Sequence, residues 1–125
     1  MESYEVALDY FQQALRGQEK VLGKTHPDTL NTIMNMATVN KDGLKDFAKA
    51  EEMYRLALDG HEKSLGNDHE CTKRCAKNLI ILLCWHLKSK EKTRELIRGH
   101  PHLLLEGGRM GFNKTSRQQL RMFIC

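Results

Sequence analysis

The sequence predicts an all-α fold, a short solenoid of antiparallel helix pairs, and three observations carry that reading. First, the chain writes one stretch twice. Ala7–Thr29, ALDYFQQALRGQEKVLGKTHPDT, returns 43 residues later as Ala50–Thr72, AEEMYRLALDGHEKSLGNDHECT. At that offset Ala7 meets Ala50, Phe11 meets Tyr54, and Ala14-Leu15 meets Ala57-Leu58. Gly17, Glu19-Lys20, Leu22-Gly23, His26 and Thr29 meet Gly60, Glu62-Lys63, Leu65-Gly66, His69 and Thr72. A fixed period in this range marks a repeat architecture. Second, the apolar residues of each copy recur at the three/four spacing of an amphipathic helix. Third, no stretch alternates apolar and polar residues as a half-buried strand would.

The bulk numbers agree with one folded unit or a piece of a longer array. The chain has 125 residues, 40% of them hydrophobic and 29% charged, with 6% aromatic and only two prolines. No basic-then-apolar leader opens the sequence, and the longest apolar run, Leu79–Trp85, is far too short to span a bilayer. The expectation is a cytoplasmic protein whose four cysteines stay reduced. The formal net charge of +4 is uneven: from Lys88 onward nine Lys/Arg stand against three Asp/Glu. Such a basic end can attract nucleic acid or a membrane surface. Without interleaved aromatics or a motif, a solvated tail is the expected reading.

Each element can then be justified in order. Glu2–Leu22 reads as one helix, with Tyr4, Ala7, Leu8, Phe11, Ala14, Leu15, Val21 and Leu22 on its apolar side. Gly17 interrupts it at a cost of about 1 kcal/mol relative to alanine. Its return as Gly60 suggests a close helix approach or a local bend. Gly23 is a natural stop. His26-Pro27-Asp28-Thr29 starts the next helix, since proline suits a first turn and Thr25 or Asp28 can cap it or complement its dipole. Leu30, Ile33, Met34, Met36 and Ala37 form its apolar set to about Asn40, and Lys41-Asp42-Gly43 is read as the turn. Asp46-Phe47 opens a long helix to Leu65, ended by Gly66-Asn67-Asp68. His69 to about Leu87 repeats the shorter helix, Lys88-Ser89-Lys90 breaks it, and Glu91–Arg98 forms a short helix stopped by Gly99 and Pro101. Gly107-Gly108 and Gly111 make a flexible join, and Thr115–Phe123 is a marginal last helix.

The residues A-x-x-x-F/Y-x-x-A-L-x-G-x-E-K-x-L-G-x-x-H-P-D-T, followed by I-M-N-M-A at Ile33–Ala37, resemble the extended tetratricopeptide repeats of kinesin light chains. The resemblance covers roughly Tyr4 to Ile97. It implies a right-handed superhelix in which a shorter helix A (Asp28–Asn40) pairs with a longer helix B (Phe47–Leu65). Ala37, Ala50, Tyr54 and Ala57 match the family's small-small-aromatic-small pattern, and small residues let two backbones close up while the aromatic fills the gap. In this register residues 1–105 form the repeat region. Residues 2–22 are the helix B of an incomplete repeat, 28–65 a complete repeat, and 69–98 a degenerate terminal one with Thr93 and Ile97 in the alanine and aromatic places. Residues 106–125 are a basic C-terminal tail. The chain thus begins in mid-repeat, and the expectation is a fragment of a longer array or a truncated gene, marginal as a monomer because repeats need neighbours.

Candidate chemistry is sparse. Cys71 and Cys75 share one helical face near His69 and His86, but structural zinc favours C-x-x-C knuckles and four ligands, so both cysteines are read as ordinary helix positions. Cys84 and Trp85 are read as core or terminal contacts. His26 and His69 recur with the loop and have no nucleophile or acid beside them in sequence; they are read as anchors of the turn, and His100-Pro101-His102 as a turn. Glu19-Lys20 and Glu62-Lys63 are solvated or bridging charges. No G-x-S-x-G, phosphate loop or H-E-x-x-H occurs. The reading is a non-catalytic protein, with no cofactor, metal or small-molecule substrate.

Binding remains. The resemblance implies that A helices line a concave groove for an extended peptide or partner helix. Its groove-facing places fall on Asn31, Met34, Asn35, Thr38 and Lys41 of the first A helix, and on Arg74, Lys77, Asn78 and Ile81 of the second. Asparagines can hydrogen-bond a peptide backbone through donor and acceptor alike. Arg74 and Lys77, two cations a turn apart, suit an acidic segment or a terminal carboxylate. The expectation is a scaffold that binds a partner peptide, a short acidic or amphipathic segment. The alternatives are self-association through the unpaired first helix and, less favoured, nucleic-acid binding by the basic tail.

Overall fold

The computed structural model describes residues 2–100 and 114–124. The expected Gly107-Gly108 and Gly111 join, and Pro101-His102, lie outside the described residues. Among those described, six α-helices follow one another without a strand: α1 (Glu2–Val21), α2 (Pro27–Thr38), α3 (Phe47–Leu65), α4 (Glu70–Ile81), α5 (Lys90–Gly99) and α6 (Lys114–Ile124). Helices α1 to α5 pack in sequence, each on the next, and α6 lies against α5. The chain is an all-α solenoid.

Helix starts follow from side-chain caps, and the cap residue differs from the expected one. Neither Thr25 nor Asp28 caps α2. His26 does, its Nδ1 accepting from the Asp28 N–H at 3.1 Å, and His69 repeats this for α4 with the Cys71 N–H at 3.1 Å. The reason lies in the turn: Gly23 and Gly66 sit at φ +95° and +85°, where only glycine is comfortable, and the reversal places the histidine in extended backbone just ahead of the helix. Thr25 has another role, its carbonyl accepting from Ser64 Oγ at 2.8 Å and so tying this loop to the end of α3. Asp46 caps α3 through the Lys49 N–H at 3.2 Å, and Ser89 caps α5 through the Lys92 N–H at 3.4 Å.

The two shorter helices end in the same unexpected way. Each passes into a single π-helical turn, Val39–Gly43 after α2 and Leu82–His86 after α4. The Leu44 N–H reaches Val39 O at 3.2 Å and the Asp46 N–H reaches Asn40 O at 2.8 Å; Leu87 to Leu82 and Ser89 to Leu83, both 2.9 Å, repeat the pattern. The reversal falls at Lys45 and Lys88, with φ of 57° and 51°. Gly43 is therefore not the stop that its identity suggests. It is required by packing, because a Cβ there would come within 2.5 Å of the Tyr4 ring. The later equivalents of this pair, Phe47 and His86, stack with ring centroids 4.8 Å apart.

The core sits where α2, α3 and α4 meet. Ala37, Ala50, Tyr54, Ala57, Cys75, Ala76, Leu79 and Ile80 are fully buried. At full burial a Leu-sized side chain contributes about 1.5–3 kcal/mol. Gly60 lets α2 approach α3, since a Cβ there would meet Leu30 Cδ2 at 2.5 Å. Gly17, its counterpart, has nothing within 4 Å, so the close approach exists at one of the two glycines. Thr93, Leu96 and Ile97 put the short α5 onto the same core. Within the stretch read as a basic tail, α6 buries Leu120 completely.

Candidate functional site

Helices α2 and α4 stand 43 residues apart in one register, so their outer faces run side by side. Between them lies an open cavity of about 360 Å³ lined by Asn31, Met34, Asn35, Thr38, Arg74 and Asn78. All six belong to the nine positions expected from sequence. The Arg74 guanidinium reaches across to Asn31, with Nη2 3.4 Å from Oδ1, and so links the two helices at the groove floor. Thr38 is held from behind: its hydroxyl donates to Met34 O at 3.1 Å and shares a 2.8 Å hydrogen bond with the buried Tyr54 hydroxyl. Asn35 is exposed, while Asn31 and Asn78 are half-buried.

The other three positions lie elsewhere. Lys41 falls in the first π-helical turn, its side chain only 13% exposed and its Nζ 3.7 Å from Asp42. Ile81 packs against the core. Lys77 is half-buried on α4, outside the cavity lining.

Arg74 makes the groove polar and basic, and burial holds the Tyr54 hydroxyl and the Cys75 thiol behind it in their neutral forms. Burial pushes Tyr54 above the usual phenol value, against the lowering effect of its bond with Thr38. Burial also pushes the Cys75 thiol up to about 12, with Glu62 reinforcing it and Arg74 opposing it. Its Sγ donates to Tyr54 O at 3.5 Å. Cys75 is thus committed to the core rather than to a site shared with Cys71. Among the described residues no cluster of three or more His, Cys, Asp or Glu could hold a metal. His61 is fully buried, and neither ring nitrogen meets a hydrogen-bonding group. Burial first, then the Arg74 and His69 charges, hold it below the ordinary histidine value. His100 closes the far side, with Nδ1 3.1 Å from Leu96 O and Nε2 2.9 Å from Glu62 Oε1.

Two further depressions were not legible in the sequence. One runs over Leu30, Ile33, Leu56 and Gly60 and is rimmed by Glu19, Lys24, Asp59 and Lys63. The other brings Cys84, Trp85 and Lys88 against Gln119 and Phe123 of α6. Both depend on which helices meet, and no local pattern encodes that.

Helix pairs in one register, small residues where they cross and a polar groove along the first helix of each pair define a helical-repeat solenoid. A model of the tetratricopeptide repeat family matches residues 1–63, about half of the chain, and the chain belongs to that family. Repeats of this family generally mediate protein–protein interaction and are generally non-catalytic. No curated protein matches the sequence.

Proposed function

We propose that this chain is a non-catalytic interaction module, similar in kind to the repeats of kinesin light chains. Its groove between α2 and α4 takes a short acidic, extended segment of a partner protein. The observation that supports this most is the composition of the groove: three asparagines, a threonine and an arginine around one cavity. Each asparagine amide offers a donor and an acceptor, which matches a peptide backbone without demanding one sequence. Arg74 supplies a charge-assisted bond for a carboxylate, and Lys77 one turn away on the same helix adds to the local positive potential. The three described cysteines are free, as a reducing, cytoplasmic setting allows. No helix among the described residues is long and apolar enough to cross a membrane.

Calorimetric titration with an acidic nonapeptide and its Lys-substituted control tests the reading. The acidic peptide binds the native chain, and Arg74→Glu with Lys77→Glu weakens binding roughly tenfold or more, the scale of a lost charged hydrogen bond. Equal affinity before and after the double reversal contradicts the groove assignment.

A further inference from the structure

On α3 one face is covered by α2 and the segments that flank it through three contacts. Met53 Sδ lies 3.5 Å from Asn40 Nδ2, Gly60 admits Leu30, and Ser64 Oγ donates to Thr25 O at 2.8 Å. The same face of α1 carries Tyr10, Gly17 and Val21 at the positions of Met53, Gly60 and Ser64, with Val6 at that of Lys49 and Ala14 at that of Ala57. Among the described residues nothing covers it: Val6, Tyr10 and Val21 are 66%, 74% and 81% exposed, and a Cβ added at Gly17 would meet no neighbouring atom within 4 Å. The face departs from its counterpart at both ends, with valine in place of Lys49 and of Ser64. Another α2-like helix seated there would lose the hydroxyl that ties Ser64 to the loop. The departures favour an occupant that is apolar at both ends.

We propose that α1 pairs with α1 of a second copy of this chain, antiparallel and about a two-fold axis. One register sets Val6 against the partner's Val21, Tyr10 against the partner's Gly17, and Gln13 against the partner's Ala14. Both valine departures then face each other, and the largest side chain of the stripe covers the residue that has none. The charges agree with this pairing. Glu2, Glu5 and Asp9 occupy the first half of α1, while Arg16, Glu19 and Lys20 occupy the second, with Glu19 turned to the side away from the stripe. In this register Asp9 falls between the partner's Arg16 and the partner's Lys20, each about 3 Å away along the axis at 1.5 Å per residue. Antiparallel helices also oppose their dipoles favourably. A two-fold interface is self-complementary by construction, as this stripe is. The groove between α2 and α4 takes no part, so the pairing stands or falls independently of peptide binding.

Sedimentation equilibrium of the full chain, from low micromolar to near-millimolar concentration, tests the pairing. The expected result is a reversible rise from the 14.4 kDa of the chain to twice that mass. Gly17→Gln fills open space in a monomer yet collides with the partner's Tyr10, so it raises the dissociation constant roughly tenfold or more with unchanged far-UV helicity. Asp9→Arg alone weakens the dimer, and Asp9→Arg with Arg16→Asp restores it. A strict monomer at every concentration overturns the proposal and gives the face to a helix of another protein. A dimer indifferent to Gly17→Gln overturns it too, by placing the interface elsewhere.

Discussion

Helices α1 and α3 are near copies in sequence and differ in what surrounds them. Ala50, Tyr54, Ala57, Leu58, Gly60 and His61 of α3 are all buried; their counterparts Ala7, Phe11, Ala14, Leu15, Gly17 and Gln18 of α1 are all partly or fully exposed. α3 sits between α2 and α4, whereas α1 packs, among the described residues, mainly on α2 and the π-helical turn that follows it. A repeat helix thus carries two apolar faces by design, and its stability comes from neighbours rather than from its own residues. Identical letters have different energetic meaning in the two places, and matched substitutions expose the difference.

The largest contrast comes from the aromatic. Tyr54→Ala removes a fully buried ring and leaves the Thr38 hydroxyl without that partner, at a cost of about 3–5 kcal/mol. Phe11→Ala acts on a half-buried ring and costs about 1–2 kcal/mol. Urea unfolding of the two variants measures the gap, and equal losses would contradict the one-sided burial of α1. The glycines should separate by sign. Gly60→Ala forces a methyl into Leu30 and destabilises by about 1–2 kcal/mol, whereas Gly17→Ala meets nothing and stabilises by up to about 1 kcal/mol through helix propensity. Thermal melts at a concentration low enough for monomer would show Tm moving down for one and up for the other.

The histidine gives a pH handle on the same pair, because α1 has Gln18 where α3 has His61. Gln18 Oε1 accepts from Thr32 at 2.6 Å, but Thr32 is replaced by Cys75 beside His61, which leaves the imidazole without a partner. Folding favours its neutral form, so the unfolded chain takes up the proton first. Stability is full above the ordinary histidine value near pH 6.5 and falls as pH drops below it, by at most about 1.4 kcal/mol per pH unit. His61→Gln should flatten unfolding free energy between neutral pH and the carboxylate range; an unchanged slope would place the acid loss elsewhere. The smallest effect belongs to the tie between α3 and α5. Burial alone would raise Glu51, but bonds from Arg55 at 2.8 Å and Lys92 at 3.2 Å hold it below the usual carboxylate range. That tie is worth most above the ordinary carboxylate value and is lost as pH falls from there through the lowered value of the folded state. Lys92→Ala should cost under about 1 kcal/mol at neutral pH, since its end of the pair is half exposed.

Much of this was legible in the sequence because a repeat is a local signal read twice. The 43-residue match placed every helix of the matched stretch, and the apolar periods named its core, down to Ala37, Ala50, Tyr54 and Ala57. The ends of the helices were not legible. Lysine at 45 and 88 gives no hint of a left-handed backbone, and Gly43 reads as part of a turn because its true constraint, the Tyr4 ring, lies far away in sequence. The cap at His26 was hidden for a similar reason: Thr25 and Asp28 are commoner capping types, and only the geometry after Gly23 selects the imidazole. Of the groove positions, six of those on regular helix line one cavity; Lys77 and Ile81, also on regular helix, do not, and Lys41 falls in a π-helical turn that periodicity does not register. The last unit is harder still. Thr29 donates to Gly23 O at 2.9 Å, but its repeat Thr72 is buried without such a bond, so the second copy keeps the shape and loses part of the chemistry.

The central claim is that the face shared by α2 and α4 binds peptide. Amide chemical-shift mapping during titration with an acidic nonapeptide tests it most directly. Saturable shifts should cluster on the asparagine side chains of 31, 35 and 78 and on the backbone around Thr38 and Arg74, with α1 and the outer face of α3 unmoved. Shifts confined to α1, or none in the groove at saturating peptide, would contradict it.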